Sequence, residues 1–418
     1  MKKNVWKKLL LSSLIVSMSL MTLAGCGSKS SSSSSSSSTA GGTEMKGDIK
    51  VWIDTEHIAA IKSQVKKFEK ANPKIHVTVK SGSSADAMKD VSKDPSKAAD
   101  VFMMPHDQIG QMAEAGLLYP VGKKDVATMK KNDIQSAVDG VTYKGKVYGF
   151  PYGVESQVLY YNKSKLSAED VTNWDTMTSK GKLGTNFGDA GANYIFAPLF
   201  LSNGDQIYGS NGENLKGTNI NNDKGVQVLQ WIAKQKQNSG VVQTSDAALS
   251  NLQSGKIDAF LSGPWSKNDV KKALGKNMAV APYPTVNFGN GDTQMKAFLG
   301  VKVYGVNQQT KSPVASIALA KYLSNEATQK VEFEKNGVVP TNKTAQALPE
   351  VQKDETAKSV LQMSDANHTV VMPKLPEIIS FWPPMDSLIN DTYKGKIKPA
   401  QYQDKLNKFV KDTSKKAN

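Results

Sequence analysis

In the first ordered part of the chain, stretches with apolar residues at strand spacing alternate with stretches that have them at helical spacing. Apolar residues at every second position of Ile49–Ile53 and Ile75–Val79 predict strands, and apolar residues at helical spacing over 58–68 predict a helix between them. In order, the predicted elements are a strand at 49–53, a helix ending at Asn72-Pro73, a strand at 75–79, a helix near 86–91, a strand at 100–103 and a helix from 107. This order is typical of a parallel sheet with crossover helices.

The pattern changes after residue 146. Two extended runs, Val147–Tyr152 and Val158–Asn162, flank Gly153 and suit strands that pass from one lobe to another. A second region of alternating helices and strands follows, up to a predicted strand at Phe298–Val306. Residues 313–336 then predict one long helix, with Pro313 in the first turn, where proline is tolerated.

The N-terminus has a different character. The only long apolar run, Leu9–Ala24, follows four lysines and is shorter than the ~20 apolar residues of a membrane-spanning helix. It ends in Leu23-Ala24-Gly25-Cys26, which resembles a bacterial lipobox, and Cys26 is the only cysteine of the chain. We predict a lipoprotein signal peptide over residues 1–25 and lipidation of Cys26. The alternative is an ordinary cleaved signal with a chance cysteine.

Residues 26–47 link this cysteine to the ordered chain. They contain nine consecutive serines, Ser30–Ser38, followed by a Gly-rich stretch. Such a segment cannot bury enough apolar area to fold and is expected to act as a flexible tether. The sequence therefore predicts a protein anchored by lipid at the extracellular face of the cell membrane, as in Gram-positive bacteria.

Composition narrows the class of ligand. The formal charge is +15, and every basic residue apart from the four histidines is lysine, because the chain has no arginine. Arginine is the usual bidentate partner of carboxylate and phosphate groups, so its absence argues against an anionic ligand and against base recognition in nucleic acid. The lysines are dispersed, which indicates a solvated surface beside an anionic membrane or wall.

Few patterns point to catalysis or to cofactors. The histidines (His57, His76, His106 and His368) are not at metal-ligand spacing, and the chain has neither a Gly-x-Ser-x-Gly elbow nor a glycine-rich phosphate loop. We therefore predict neither metal nor cofactor. Asp107 and Glu155 could form the acid and base of a glycosidase, or serve as helix caps or surface ion-pair partners.

Two tryptophans stand apart from the other four. Trp265 follows the loop signal Ser262-Gly263-Pro264, and Trp382 lies between Phe381 and Pro383-Pro384, where a helix is not expected to continue smoothly. An indole held by a loop is available to cover the flat C–H face of a sugar ring.

Taken together, these stretches resemble the sugar-binding lipoproteins of ATP-binding-cassette importers, close to maltose/maltodextrin-binding proteins, over about residues 48–410. The matching stretches are Val51-Trp52-Ile53, Lys67–Lys70, Asp100–Gly110, Tyr143–Lys146, Phe150–Glu155, Tyr160–Lys163, Gly263-Pro264-Trp265 and the tail Met372-Pro373…Pro376…Phe381-Trp382. Each motif alone is only weakly specific for this family. The order and spacing of all the motifs together are more specific for it.

The resemblance implies an α/β, two-lobed, periplasmic-binding-protein-like fold with a hinge and a ligand cleft between the lobes. The expected N-lobe comprises residues 48–154 and 304–346, and the expected C-lobe comprises residues 155–303 and 347–416. It further implies a monomer.

The resemblance also implies site residues. Asp107 and Glu155 would accept hydrogen bonds from sugar hydroxyls, and Glu56 and His57 stand where the family places a carboxylate followed by a basic residue. The expected stacking residues are Tyr194, Trp265 and Trp382. The chain departs from the family pattern at Met104 and Ala197, where other members carry tryptophan, and at Gln108 and Asp386, where arginine is common.

The function implied is that of a receptor without enzymatic activity, which captures maltose or maltodextrins and delivers them to the permease subunits of an importer. Two alternatives remain open. One is the same receptor fold for another ligand, such as a different oligosaccharide, a peptide or a polyamine. The other is a secreted glycoside hydrolase that uses Asp107 and Glu155.

Overall fold

The computed structural model describes residues 45–244 and 247–416. The predictions of a signal peptide, of lipidation at Cys26 and of a tether up to residue 44 lie outside the described residues. Within the described ranges, no helix is both long enough and apolar enough to cross a membrane.

Fifteen strands lie in the described part of the chain. They are β1 (Gly47–Asp54), β2 (Ile75–Gly82), β3 (Val101–Pro105), β4 (Thr142–Tyr143), β5 (Lys146–Val147), β6 (Phe150–Ser156), β7 (Val158–Asn162), β8 (Leu183–Thr185), β9 (Val241–Gln243), β10 (Ala259–Ser262), β11 (Met278–Ala281), β12 (Thr285–Asn287), β13 (Asp292–Gln294), β14 (Ala297–Val306) and β15 (Thr369–Val371).

The α-helices fall between and after these strands. They are α1 (Ile58–Ala71), α2 (Ala87–Lys93), α3 (Ile109–Glu114), α4 (Lys123–Asn132), α5 (Gln135–Gly140), α6 (Trp174–Lys180), α7 (Ala192–Phe196), α8 (Pro198–Ser202), α9 (Asp223–Gln235), α10 (Ala248–Gln253), α11 (Lys267–Leu274), α12 (Pro313–Leu323), α13 (Glu326–Asn336), α14 (Lys343–Gln346), α15 (Pro349–Lys353), α16 (Glu355–Met363), α17 (Ile378–Lys394) and α18 (Tyr402–Thr413).

The first sheet has six strands and contains the predicted βαβ units. Its order is β15-β14-β3-β1-β2, and β6 pairs with β14 over Leu299–Tyr304. Strand β1 runs parallel to β2 and to β3, as the sequence pattern predicts. Helix α1 packs on this sheet through the apolar face predicted from the sequence. Its residues Ile61, Val65 and Phe68 are all buried.

The second sheet has five strands in the order β11-β7-β10-β8-β9. Strand β7 is antiparallel to β10 and β11, whereas β8 is parallel to β9 and β10. Its aromatic core includes Trp174 and Trp231, whose rings meet edge to face at 4.9 Å. The indole nitrogen of Trp174 donates to the side-chain oxygen of Gln235 at 2.9 Å, which satisfies a buried polar group.

The chain passes between the two sheets at short crossovers. Strand β6 ends at Ser156 in the first sheet and β7 begins at Val158 in the second, with buried Gln157 between them. The hydroxyl of Tyr283 donates to the side-chain oxygen of Gln157 at 2.8 Å and fixes this crossover. All of β14 lies in the first sheet. The lobe boundaries given above stay predictions.

Two local expectations were wrong. Residues 313–336 form two helices, α12 and α13, because Asn325 interrupts the run and its side chain accepts the Thr328 N–H at 2.8 Å as a cap. Helix α17 also continues through Pro383 and Pro384, so Trp382 lies on a helix. The prolines cannot donate to the carbonyls of Ile379 and Ser380, but both residues are exposed and water can serve these carbonyls.

The cap at Asn325 yields a stability prediction. Asn325→Ala removes the acceptor for the Thr328 N–H and should lower the free energy of unfolding by about 1 kcal/mol. Asn325→Asp keeps a side-chain acceptor and should retain most of the stability that the cap contributes. Denaturant unfolding of the mature chain measures both values, and equal losses in the two variants would contradict the capping role.

Candidate binding site

A cavity of about 790 Å³, here called the central cleft, holds four of the sequence-predicted residues. Glu155 and Lys302 reach it from strands β6 and β14 of the first sheet, and Trp265 reaches it from the turn that follows β10 of the second. Glu56 and His57, in the short helical turn after β1, line the same cavity. Residues carried by both sheets therefore contribute walls to the central cleft.

An ion pair lies at the base of the central cleft. Strands β6 and β14 are antiparallel, and the Lys302 ammonium is 3.0 Å from the Glu155 carboxylate. Burial alone would lower the pKa of Lys302, but the carboxylates of Glu155, Asp54 and Glu56 outweigh it and raise that pKa above its usual value. Lys302 was not among the site residues expected from the sequence. The signal for it was a lone charge inside the apolar run Phe298–Val306.

Asp107 lies just past the carboxyl end of β3, in the helical turn His106–Gln108. Its Oδ1 atom is buried and has no hydrogen-bond partner. Burial, with a smaller contribution from the charge of Glu155, raises the pKa of Asp107 to about 6. A carboxylate that is out of water and short of donors is well suited to accept hydroxyl groups from a ligand.

The neighbouring His106 holds this turn in place. It is fully buried, its Nδ1 accepts the Val301 N–H at 3.0 Å, and its Nε2 lies 3.3 Å from the carbonyl of Met372. Burial, assisted by the charge of Lys374, lowers the pKa of His106 to about 3, so the ring is neutral at physiological pH. His106 therefore links β14 to the turn that presents Asp107.

Tyr194 lies on α7, close to the two carboxylates. Burial raises the pKa of its hydroxyl, and the charges of Glu155 and Asp107 add to the effect. The Tyr194 ring is 6.2 Å from the ring of Phe298, which in turn meets the Trp382 ring at 5.7 Å and a right angle. Tyr194 and Trp382 thus flank one buried aromatic ring.

Trp265 is the exposed aromatic residue of the central cleft, with 55% of its surface accessible. The turn that carries it is fixed on three sides. The Tyr160 hydroxyl donates to the carbonyl of Gly263 at 3.1 Å, the hydroxyls of Ser262 and Ser266 are 2.7 Å apart, and Lys267 forms an ion pair with Asp354. A Cβ at position 263 would come within 2.1 Å of the indole, which explains the glycine there.

Glu56 and His57 differ in their accessibility. Glu56 is exposed, whereas His57 is 6% exposed and its Nδ1 is hydrogen-bonded to the buried carboxylate of Glu332. The Asn336 amide donates to the same carboxylate at 3.1 Å. Donor atoms of Asp54, Glu56 and His57 lie within 4.8 Å of one another and are the group of described residues best placed to hold a cation.

The four departures from the family pattern have visible local roles here. Met104 and Ala197 are buried in the core. The Gln108 side chain donates to the carbonyl of Ala85 at 2.7 Å and accepts the Met88 N–H at 2.8 Å. The carboxylate of Asp386 accepts two backbone N–H groups at the start of α7.

A smaller cavity of about 450 Å³ lies beyond Asp107 and is called the side pocket. Its lining includes Met88, Gln108, Pro376 and the exposed Ile379. Of the sequence-predicted residues, the central cleft thus contains Glu56, His57, Glu155 and Trp265, while Asp107 faces the side pocket. Tyr194 lies on α7, and Trp382 contacts the Phe298 ring and accepts a hydrogen bond from Asn193 of α7 at its backbone carbonyl. Cys26 lies outside the described residues.

The raised pKa of Asp107 predicts a stability effect with a defined sign. The folded-state pKa of about 6 exceeds the ordinary value of 3.8, so stability is lost as pH rises from about 3.8 to 6 and the full cost remains above pH 6. Asp107→Asn should therefore raise the free energy of unfolding at pH 8 by up to about 3 kcal/mol, and by much less at pH 4.

Urea unfolding of the mature chain at both pH values measures this difference. Asp48 is exposed on β1, and Asp48→Asn is the matched control, which should change stability little at either pH. A stability gain at Asp107→Asn that is the same at pH 4 and pH 8 would show that its carboxylate carries no such cost.

Known proteins of similar sequence and structure identify the family of this chain. The model of the family described as bacterial extracellular solute-binding protein matches residues 63–359. The chain is 30% identical to the galactooligosaccharide-binding protein of Bacillus subtilis (strain 168) over 97% of both chains. It is 27% identical to a maltooligosaccharide ABC transporter solute-binding lipoprotein of Streptococcus pneumoniae over 91% of both chains.

Solved structures show the same fold. The maltodextrin-binding protein of L. casei BL23, determined without ligand, has a TM-score of 0.86 and 44% identity over 89% of this chain and 100% of its own. The maltose-binding protein of Listeria monocytogenes, solved with maltose, has a TM-score of 0.78 and 25% identity over 89% and 99%. They confirm the predicted two-lobed α/β fold, and the chain belongs to the family of bacterial extracellular solute-binding proteins.

Proposed function

We propose that this protein is an extracellular, lipid-anchored receptor that captures malto-oligosaccharides and delivers them to the permease of an ATP-binding-cassette importer. The observation that carries the proposal is the central cleft, whose walls come from both sheets and combine carboxylates with an exposed indole. Sugar rings present apolar C–H faces and a rim of hydroxyls, and these two kinds of side chain match the two surfaces.

The geometry supports a capture mechanism in which the ligand closes the lobes. Glu155 and Lys302 belong to the first sheet and Trp265 to the second, so only a closed form contacts a sugar with both. A ligand that binds one conformation more tightly shifts the population towards it. The closed form is then the one that docks on the permease, and no bond in the sugar is broken.

The proposed lipid anchor complements this mechanism. A tether of about twenty residues holds the receptor near the membrane, where a high effective concentration substitutes for tight docking on the permease. The relatives named above support the extracellular location, and the S. pneumoniae relatives are lipoproteins by name. We further propose that the receptor acts as a monomer.

A different oligosaccharide is the second candidate ligand, because the B. subtilis relative binds galactooligosaccharide by name. Carboxylate acceptors and an indole suit either sugar. The two candidates differ in the orientation of hydroxyl groups, which titration with both distinguishes. A hydrolytic role for Asp107 and Glu155 would release new reducing ends from maltodextrin, whereas a receptor releases none.

Trp265 provides the direct test of binding. We expect maltotriose to bind the mature chain with micromolar or tighter affinity in a calorimetric titration, and Trp265→Ala to weaken binding at least tenfold, because an exposed stacking surface is lost. Val314→Ala removes an exposed apolar side chain on α12 and is the control, with unchanged affinity expected. Binding of galactotriose but not maltotriose would favour the second candidate, and unaltered affinity in Trp265→Ala would contradict stacking.

The pKa of Asp107 predicts a pH dependence of binding. Below about pH 6 its carboxylate takes up a proton and becomes a weaker acceptor, so maltotriose affinity should fall by up to about tenfold between pH 7.5 and pH 5. In Asp107→Asn the affinity should be lower at pH 7.5 and should change less with pH. Parallel pH dependences in the two proteins would exclude Asp107 as the titrating contact.

A further inference from the structure

Helices α7 and α17 carry two of the three expected stacking residues, Tyr194 and Trp382, and one side chain joins the helices. Asp386 lies one helical turn after Trp382 on α17. Its Oδ2 accepts the Gly191 N–H at 3.0 Å, and its Oδ1 accepts the Asn193 N–H at 2.9 Å. These two donors stand three residues and one residue before Tyr194 in the chain.

A second contact closes the connection. The side-chain amide of Asn193 donates to the backbone carbonyl of Trp382 at 2.9 Å, and Asn193 is buried. The proline pair at 383 and 384 removes donors only for the carbonyls of Ile379 and Ser380, so the bond from Asn193 is an additional contact between the two helices. Three hydrogen bonds thus tie the start of α7 to the turn of α17 that bears Trp382.

We propose that Asp386 is a positioning residue that sets the spacing and orientation of Tyr194 and Trp382 as one sugar-stacking surface. The proposal rests on the proposed function for its sugar readout. Both oxygens of Asp386 are occupied by backbone N–H groups, so Asp386 acts through α7 and not by touching the ligand. A lysine or arginine at this position could not accept these N–H groups.

The physical reason is the shortness of α7. This helix has five residues, too few to be stable by its own hydrogen bonds, so its position depends on contacts from other elements. Hydrogen bonds from N–H groups to a carboxylate are among the strongest available for this purpose. Gly191 has a φ of +84°, a conformation that glycine adopts without strain, and this turn directs its N–H at Asp386.

The test compares substitutions at Asp386 in the mature chain. We expect Asp386→Ala to weaken maltotriose binding about tenfold, and Asp386→Asn, which keeps one acceptor oxygen, to fall between Asp386→Ala and the unsubstituted chain. Asp391→Ala is the matched control, because Asp391 lies on the same helix and pairs with exposed Lys396. It should leave affinity unchanged.

A double-mutant cycle separates positioning from general destabilisation. If Asp386 acts through Tyr194, Asp386→Ala should cost less than twofold in affinity in a Tyr194→Ala background. The same cost in both backgrounds would overturn the proposal. Should Asp386→Ala fail to fold, the cycle with Asp386→Asn decides, with the same expected loss of additivity.

A sugar-free measurement keeps the two proposals distinguishable. Asp386→Ala should increase amide hydrogen exchange at Gly191 and Asn193 without ligand, and Asp391→Ala should not. Failure of the unsubstituted chain to bind any oligosaccharide would refute the proposed function, while faster exchange would still support Asp386 as the residue that fixes α7. Unchanged exchange in Asp386→Ala would overturn that role.

Discussion

The antiparallel pairing of β6 with β14 is the constraint on which the rest of the structure depends. Strand β6 leads within one residue into the second sheet, and β14 lies in the first sheet alongside it. The pairing therefore places a crossover between the lobes beside the side chains that line the central cleft. Glu155 and Lys302 form their ion pair on these two strands, so this charged pair of the cleft lies close to the crossover.

Around this base the site combines polar groups that are costly to bury with aromatic groups held by hydrogen bonds. Asp107 has an unpartnered oxygen and a pKa raised to about 6, a state that a folded protein tolerates at a cost in stability. Such costs are characteristic of binding sites, where a ligand supplies the missing partners. The aromatic residues are held in position by hydrogen bonds of the backbone near them. The turn at Gly263 holds Trp265, and Asp386 holds the start of the helix that carries Tyr194.

Local patterns predicted much of the fold. The βαβ units of the first sheet were predicted from the spacing of apolar residues, because the residues of each element by themselves define its apolar face. The break at Asn325 and the continuous helix at Trp382 were missed, since a cap inside an apolar run and a proline pair on an exposed face each override the local signal. Lys302 and Asp386 were not assigned site roles because their partners are distant in sequence and only tertiary packing brings them together. The roles of the seven expected site residues stay predictions.

The central claim is that a malto-oligosaccharide binds in the central cleft and contacts both lobes at once. A crystal structure of the mature chain with maltotriose tests it most directly. The account predicts sugar density against the Trp265 indole, hydroxyl groups within hydrogen-bonding distance of Glu155 or Asp107, and lobes drawn closer than in the structure without sugar. Maltotriose bound at a surface of one lobe alone, with the central cleft empty, would contradict it.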